Sequence, residues 1–135
     1  MNKKTILITG GCGFIGTNLV EFLLSRKYKI INLDILNYPS NKKFTKNFKD
    51  YTFKKLDVNN TRIVEKILNK HKPDYVIHLA AETHVDRSIE DGKKFLTANI
   101  NGTYSMLSNS LKYYKKFKKK KFKFFYLGKD EIFGD

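Results

Sequence analysis

The sequence predicts an α/β fold, a parallel sheet of about five strands with helices on both faces, and three observations carry that expectation. Apolar runs of strand length alternate along the chain with longer segments of helical period, the pattern of parallel strands joined by crossover helices. A glycine cluster, Gly10-Gly11-Cys12-Gly13-Phe14-Ile15-Gly16, stands between the first such run and the first helix. Polar residues gather just after several of the strands, where open parallel sheets bind their ligands.

In order, Lys4 to Thr9 reads as the first strand, and Phe14 to Lys27 as a helix with Leu19, Phe22, Leu23 and Arg26 along one face. Lys29 to Leu33 is a second strand, and Asp34 to Asp50 a polar loop rich in Asn and Lys. Tyr51 to Leu56 forms a third strand, and Thr61 to Lys70 a helix with Ile63, Ile67 and Leu68 on one side. Pro73 punctuates, because proline removes a backbone donor and restricts the residue before it. Tyr75 to Ala80 is a buried fourth strand, residues from about Lys93 to Tyr114 are helical, and Phe122 to Leu127 is a fifth strand.

The glycines lie at a strand-to-helix turn, where a dinucleotide pyrophosphate binds. Glycine is needed there because the turn is tight, the backbone must approach the phosphates, and the new helix must pack closely on its strand. The helix then presents N–H groups and its positive dipole end to the anion. Gly11, Gly13 and Gly16 fit G-x-G-x-x-G, and Gly10, Gly13 and Gly16 fit G-x-x-G-x-x-G; the order of elements gives the match its weight. A glycine-rich turn that binds nothing is the competing reading.

At 135 residues the chain is long enough for one core, so a single domain is expected. No stretch resembles a signal peptide or a membrane span, and the only cysteine, Cys12, has no partner for a disulfide or a metal cluster. A cytoplasmic protein with no metal site follows. The net charge of +14 and the run from Lys112 to Lys121 suggest nucleic acid, but only Arg26, Arg62 and Arg87 among 27 basic residues are arginine. Lysine spread over every exposed position reads as a composition bias, whereas nucleic-acid sites gather arginine for bidentate contacts. Nucleic-acid binding is therefore set aside.

Each strand end offers candidates. Asp34, 18 residues past Gly16, is placed to accept ribose hydroxyls of NAD and would repel a 2′-phosphate; an aspartate that only shapes a turn is the alternative. Asp57 and Val58 follow the third strand and could contact an adenine. After the fourth, Ala80 and Ala81 are small enough for a backbone passing close to a cofactor, and Glu82-Thr83-His84-Val85-Asp86-Arg87-Ser88 is densely polar. After the fifth, Asp130 and Glu131 could act as acid and base if their environments split their pKa values; taken alone, such a pair is usually surface charge.

On these residues the chain resembles the amino-terminal part of an extended short-chain dehydrogenase/reductase, most closely the dTDP-glucose 4,6-dehydratase family. The resemblance runs the whole length, through Ile8 to Gly16, Asn32-Leu33-Asp34, Leu56-Asp57-Val58, Pro73 to Ile89, Asn99-Ile100-Asn101-Gly102-Thr103 and Asp130 to Asp135. It implies a Rossmann-like sheet cut short before later strands and a sugar-binding domain. The implied cofactor is a tightly held NAD, with dTDP-glucose or a related nucleotide sugar as substrate. By position, Gly10, Gly13, Phe14, Ile15, Gly16, Asp34, Asp57, Val58, Leu79, Ala80, Ala81 and Thr83 would line the NAD site. Thr83, Glu82 and His84 would lie near the sugar. Asp130 would protonate the departing C6 hydroxyl and Glu131 would take the C5 proton.

The resemblance further implies that oxidation at C4 needs a Tyr-x-x-x-Lys pair, in which lysine lowers the tyrosine pKa. In the family this pair stands beyond the position of Asp135. The matches present here, Tyr38 with Lys42, Tyr51 with Lys55 and Tyr114 with Lys118, fall in a loop, at a strand start and at a helix end away from the ligand crevice. Gly128-Lys129 stands where the family has Ser-Thr, and Ala98 where it has threonine. The expectation is a chain that holds NAD and the Asp-Glu pair but does not turn over alone, or a remnant or split half that works only with a separate chain supplying the Tyr-x-x-x-Lys helix and sugar domain, with a homodimer or such a complementing chain as partner. Phe122, Phe124 and Phe125 at the sheet edge would favour such association.

Overall fold

The computed structural model of the protein describes residues 3–37, 40–82, 89 and 91–128. Five strands form one parallel sheet: β1 (Thr5–Thr9), β2 (Lys29–Asp34), β3 (Tyr51–Lys55), β4 (Tyr75–His78) and β5 (Lys123–Tyr126), in the order β3-β2-β1-β4-β5. The order reverses between β1 and β4, so their carboxyl ends open a crevice where crossovers leave toward opposite sides.

Side chains alternate between the two faces. Leu7, Ile31, Leu33 and Val76 pack against α2 (Thr61–His71) and α4 (Gly102–Phe117), with Val64, Ile67, Leu68, Met106 and Tyr113 as the helical contribution. Ile6, Ile8 and Ile30 pack against Val20 and Leu23 of α1 (Phe14–Ser25). Asn60 caps α2 by accepting from the Ile63 amide, and Lys72 and Lys118 end α2 and α4 in the left-handed conformation at φ 46° and 47°.

The strand assignments hold to within one or two residues, and three details differ for physical reasons. The inward face of α1 is Gly16, Thr17, Val20 and Leu23, while Phe22 is half exposed with the Arg26 guanidinium over its ring. Seating Gly16 on the glycine turn sets the phase of the helix and turns Phe22 and Arg26 outward. In α2, Val64 rather than Ile63 joins Ile67 and Leu68 in the core, and Ile63 sits on the exposed flank. The 34–50 loop is not wholly polar. It contains a 3-10 turn, Lys42–Phe44, whose Phe44 is buried and packs with Phe48 and Tyr51 to cap the sheet beside β2 and β3.

The long helical stretch is composite: α3 (Gly92–Phe95) runs into a π-helical segment, Leu96–Asn101, and then α4. The lysines from 112 onward fall on the end of α4 and the following turn. Lys119 Nζ donates to the carbonyls of Lys72 and Pro73 and pairs with Asp74 at 3.0 Å. Phe124 and Phe122 pack partly into the core, and Phe125 faces the other way, half exposed, into a groove of about 270 Å³ with Tyr28, Tyr75 and Ile77.

Candidate functional site

The crevice is assembled from the β1–α1 turn, the ends of β2 and β4, and the π-helical segment. Gly10 adopts φ +72°, and a Cβ there would stand 2.8 Å from the Ala80 nitrogen. The glycine turn and the loop after β4 thus touch backbone to backbone, which only glycine permits. A Cβ on Gly16 would overlap the Gly10 carbonyl, whereas one on Gly13 would meet only that carbonyl, at 3.4 Å. Gly13 therefore borders open space.

Above it α1 begins with no side-chain cap and no acidic residue in its first turn. Its first N–H groups lack intrahelical partners, so this end attracts an anion. Phe14 is 88% exposed and Ile15 lies beside it, also exposed.

Two buried polar side chains of β2 hold the turn in shape. Asn32 Oδ1 accepts from the Gly11 amide at 3.0 Å, and its Nδ2 donates to the Tyr51 hydroxyl at 2.9 Å, which donates onward to the Phe44 carbonyl at 2.7 Å. Asp34 Oδ2 accepts from the Cys12 amide at 2.9 Å and Oδ1 from Leu36 at 2.8 Å. Only 6% of Asp34 is exposed, yet each carboxylate oxygen retains a second acceptor site. Burial, and then the Asp34 charge, pushes the Cys12 thiol up to about 11, so Cys12 stays protonated and is a packing residue. Burial likewise pushes the Tyr51 phenol up.

The end of β4 is fixed by His78, fully buried. Thr9 Oγ1 accepts from the Ala80 amide at 3.2 Å and is hydrogen-bonded to His78 Nδ1 at 2.6 Å. His78 Nε2 is hydrogen-bonded to Thr103 Oγ1 at 3.1 Å, so the neutral ring uses its one donor and one acceptor on two threonine hydroxyls. Burial lowers its pKa to about 4, which keeps the ring neutral. Beyond it, Asn99 Oδ1 accepts from the Glu82 amide at 2.8 Å while its Nδ2 donates to the Glu82 carbonyl at 3.0 Å. The Glu82 carboxylate accepts from Asn37 Nδ2 at 2.6 Å and so spans from the β4 loop to the β2 loop. A π-helical turn offsets the helix at the crevice, a frequent companion of functional sites.

The structure thus gathers Gly10, Gly13, Gly16, Phe14, Ile15, Asp34, Leu79, Ala80, Ala81 and Glu82 at the carboxyl ends of β1, β2 and β4. Asp57 lies at the β3 end, its carboxylate accepting from Asn59. Val58 is different: its side chain is buried in the core and its carbonyl accepts from Ser105 Oγ at 2.6 Å. Thr83, His84, Asp130 and Glu131 lie outside the described residues. Of the Tyr-x-x-x-Lys matches, Tyr51 is buried in the core, Tyr114 lies at the far end of α4, and Tyr38 is outside the described residues. Asn32, His78 and Asn99 escaped the sequence reading as site residues. The signal available was a polar residue inside an apolar run, as in Ile30-Ile31-Asn32-Leu33 and Val76-Ile77-His78-Leu79.

Several known proteins are similar to this chain in sequence and fold. A dTDP-glucose 4,6-dehydratase of Haemophilus influenzae is 39% identical over 137 aligned residues, covering 96% of this chain and 40% of that protein. dTDP-glucose 4,6-dehydratase 1 of Escherichia coli K12 is 37% identical over 96% of this chain and 38% of its own length. Among solved structures, the Bacillus anthracis dTDP-glucose 4,6-dehydratase in complex with NAD superposes with a TM-score of 0.75 at 30% identity, covering 98% of this chain and 39% of that one. The Thermus thermophilus UDP-glucose 4-epimerase complex with NAD gives 0.72 at 31% identity, over 81% and 34%. The chain therefore spans about two fifths of the length of the curated relatives it matches. The family model described as GDP-mannose 4,6 dehydratase matches residues 7–135, and the chain belongs to that family.

Proposed function

We propose that residues 1–135 form the NAD-binding unit of a nucleotide-sugar 4,6-dehydratase acting in the cytoplasm, with dTDP-glucose or a close relative as substrate. The observation that carries this reading is the uncapped start of α1 above a glycine turn held by Asn32 and Asp34 at the β1–β4 crevice. The residues fit the cofactor: Gly13 leaves room for phosphate oxygens, the helix offers donors, and Asp34 keeps acceptor capacity for ribose hydroxyls. Phe14, Ile15 and Leu79 to Thr83 would flank it, and Asp57 with the Val58 backbone would lie toward the adenine.

Bound NAD supplies a reversible two-electron oxidation at the sugar C4. Elimination across C5 and C6 needs an acid on the leaving hydroxyl and a base on the C5 proton, roles we assign to Asp130 and Glu131. Glu82, Thr83 and His84 would orient the sugar. Lys129, which precedes Asp130 in sequence, stands where the resemblance implies a hydroxyl-bearing residue.

A second reading, an NAD-binding segment without turnover of its own, is favoured by the burial of Tyr51 and the remote position of Tyr114. Turnover would then require a Tyr-x-x-x-Lys pair from outside residues 1–135.

Isothermal titration should show saturable NAD binding, weakened at least about tenfold in Asp34→Ala through lost hydrogen bonds to ribose. No heat at millimolar NAD overturns the proposal. Incubation of this chain with dTDP-glucose and NAD should give no 4-keto product absorbance; clear turnover overturns the second reading.

A further inference from the structure

Lysine is abundant along the whole sequence, but the fold sorts it. Parallel strands all begin at one pole of the sheet, and each crossover helix returns the chain there, so helix carboxyl ends and strand starts share that pole. Lys3 and Lys4 lead into β1, Arg26, Lys27 and Lys29 stand at the α1–β2 turn, and Lys49 precedes β3. Lys70 and Lys72 close α2, and the run Lys115-Lys116-Phe117-Lys118-Lys119-Lys120-Lys121-Phe122-Lys123 joins α4 to β5. More than half of the 27 basic residues therefore lie at this pole. Among the described residues it holds two acids, Asp50 and Asp74, and both are taken, by Lys3 and Lys119. Asp34, Asp57, Glu82 and Asp91 lie toward the crevice end instead. The excess positive charge thus gathers opposite the crevice.

Helix dipoles account for part of this, since cations suit the last turn of a helix, where Lys70, Lys115 and Lys116 stand. Lys4, Lys29, Lys49, Lys120, Lys121 and Lys123 lie outside any helix. Crowded like charges there oppose the compact state, and an anionic partner would relieve that repulsion.

The face is also level. Thr5 stands opposite Lys29, Ile30 opposite Tyr51, and both Ile6 and Lys123 opposite Tyr75. The strands therefore start near a common plane, and the turns entering β2, β4 and β5 are short. Five strands with a helix layer on each side give a face of roughly 20 by 30 Å.

We propose that this pole is an electrostatic docking face for an anionic phospholipid bilayer surface, with the crevice turned toward solvent. A plane meets all the lysines of a level face at once, whereas a nucleic-acid duplex, a cylinder, meets them along a line. All but Arg26 of these cations are lysines, and the Arg26 guanidinium lies over the Phe22 ring, so the face lacks the bidentate forks that read bases. Phospholipid headgroups ask only for positive charges within a Debye length. Phe117 and Phe122 pack against the core, which makes the attachment one of charge, reversible by salt. No crevice residue takes part, so failure of this proposal leaves the dinucleotide reading standing and the reverse also holds.

The test is co-sedimentation of the 135-residue chain with vesicles of phosphatidylcholine containing about one third phosphatidylserine. The chain should bind them saturably at about 0.1 M salt, leave them at about 0.5 M as the field is screened, and ignore pure phosphatidylcholine. The variant Lys29→Gln/Lys120→Gln/Lys121→Gln/Lys123→Gln should bind at least about tenfold more weakly. Lys42→Gln/Lys54→Gln/Lys55→Gln/Lys93→Gln, equal in net charge but changed toward the crevice end, should lose less than about threefold. No binding to the anionic vesicles at about 0.1 M salt overturns the proposal. Equal losses in the two variants also overturn it, because net charge alone would then act. Release of the chain from vesicles by a random-sequence DNA duplex at equal phosphate concentration makes nucleic acid the partner and overturns it as well. Should the first variant fail to fold, a nitrobenzoxadiazole label decides, placed singly on Lys120→Cys or Lys93→Cys, since Cys12 is buried. Its emission should change on anionic vesicles at position 120 and stay constant at position 93; any other pattern overturns the orientation and with it the proposal.

Discussion

Alanine at Gly10 is expected to lower the melting temperature by about 10 °C and to abolish NAD binding at millimolar cofactor. Two costs add at this position. A non-glycine residue at φ +72° pays about 1–2 kcal/mol for the left-handed conformation. The new Cβ would also stand 2.8 Å from the Ala80 nitrogen and 2.9 Å from its Cα, atoms of another backbone that cannot rotate away. Opening that contact costs a further ~1–3 kcal/mol, as other over-packed sites do. It also separates the glycine turn from the loop after β4, the two walls of the crevice. Thermal unfolding followed by circular dichroism, together with titration of NAD into the variant, measures both effects. A melting temperature within about 2 °C of wild type, where one kcal/mol corresponds to several degrees, would show that the turn relaxes and that the backbone contact is not needed.

The second large effect is a loss of stability in mild acid caused by His78. Its folded pKa of about 4 lies below the 6.5 of an ordinary imidazole, so as the pH falls the unfolded chain takes up the proton first. Stability from this residue is complete above pH 6.5 and is lost between 6.5 and about 4, by on the order of 3 kcal/mol. Protonation would make both ring nitrogens donors and so remove the acceptor from the two hydrogen bonds that His78 makes with Thr9 of β1 and Thr103 of α4. His71, whose pKa burial and then Lys70 lower, adds a smaller slope of the same sign. Asp50, Asp74 and Asp91, held below the ordinary carboxylate value of 3.8, act only at more acid pH. His78→Gln keeps one acceptor and one donor for the Thr9 and Thr103 hydroxyls without a titrating group. Urea unfolding from about pH 7 to about 4.5 should therefore show a steep loss in the wild type and a shallow one in His78→Gln. Equal slopes would exclude His78 as the source.

The turn and the alternation of strands and helices were legible because they are written locally. Apolar runs such as Thr5 to Thr9 and the Gly-rich joint before Phe14 need no partner to be recognised. Asp34 was legible through its distance from the glycines, although its carboxylate also holds the Cys12 amide, which spacing does not reveal. The faces of α1 and α2 were read one position off at Phe22 and Ile63, because several phases of a helix with apolar residues on more than one side satisfy the same pattern. The packing of Gly16 on the turn selects one of them. The sheet-edge phenylalanines read as an association surface divide between the core and a groove, and the inward residues of α4, Gly102, Ser105, Met106, Asn109, Ser110 and Tyr113, have no counterpart in that reading. A continuous helical pattern does not say which side faces the sheet.

By itself the sequence determined a parallel α/β sheet with a phosphate-binding turn after its first strand, since glycine placement and hydrophobic period are properties of neighbouring residues. Only the tertiary structure decided which polar groups build the crevice. Asn32 meets Gly11 across 21 positions, His78 meets Thr9 across 69, and Asn99 meets Glu82 across 17. A buried polar side chain is stable only with a partner, and such a partner comes from another element once the strands are laid side by side.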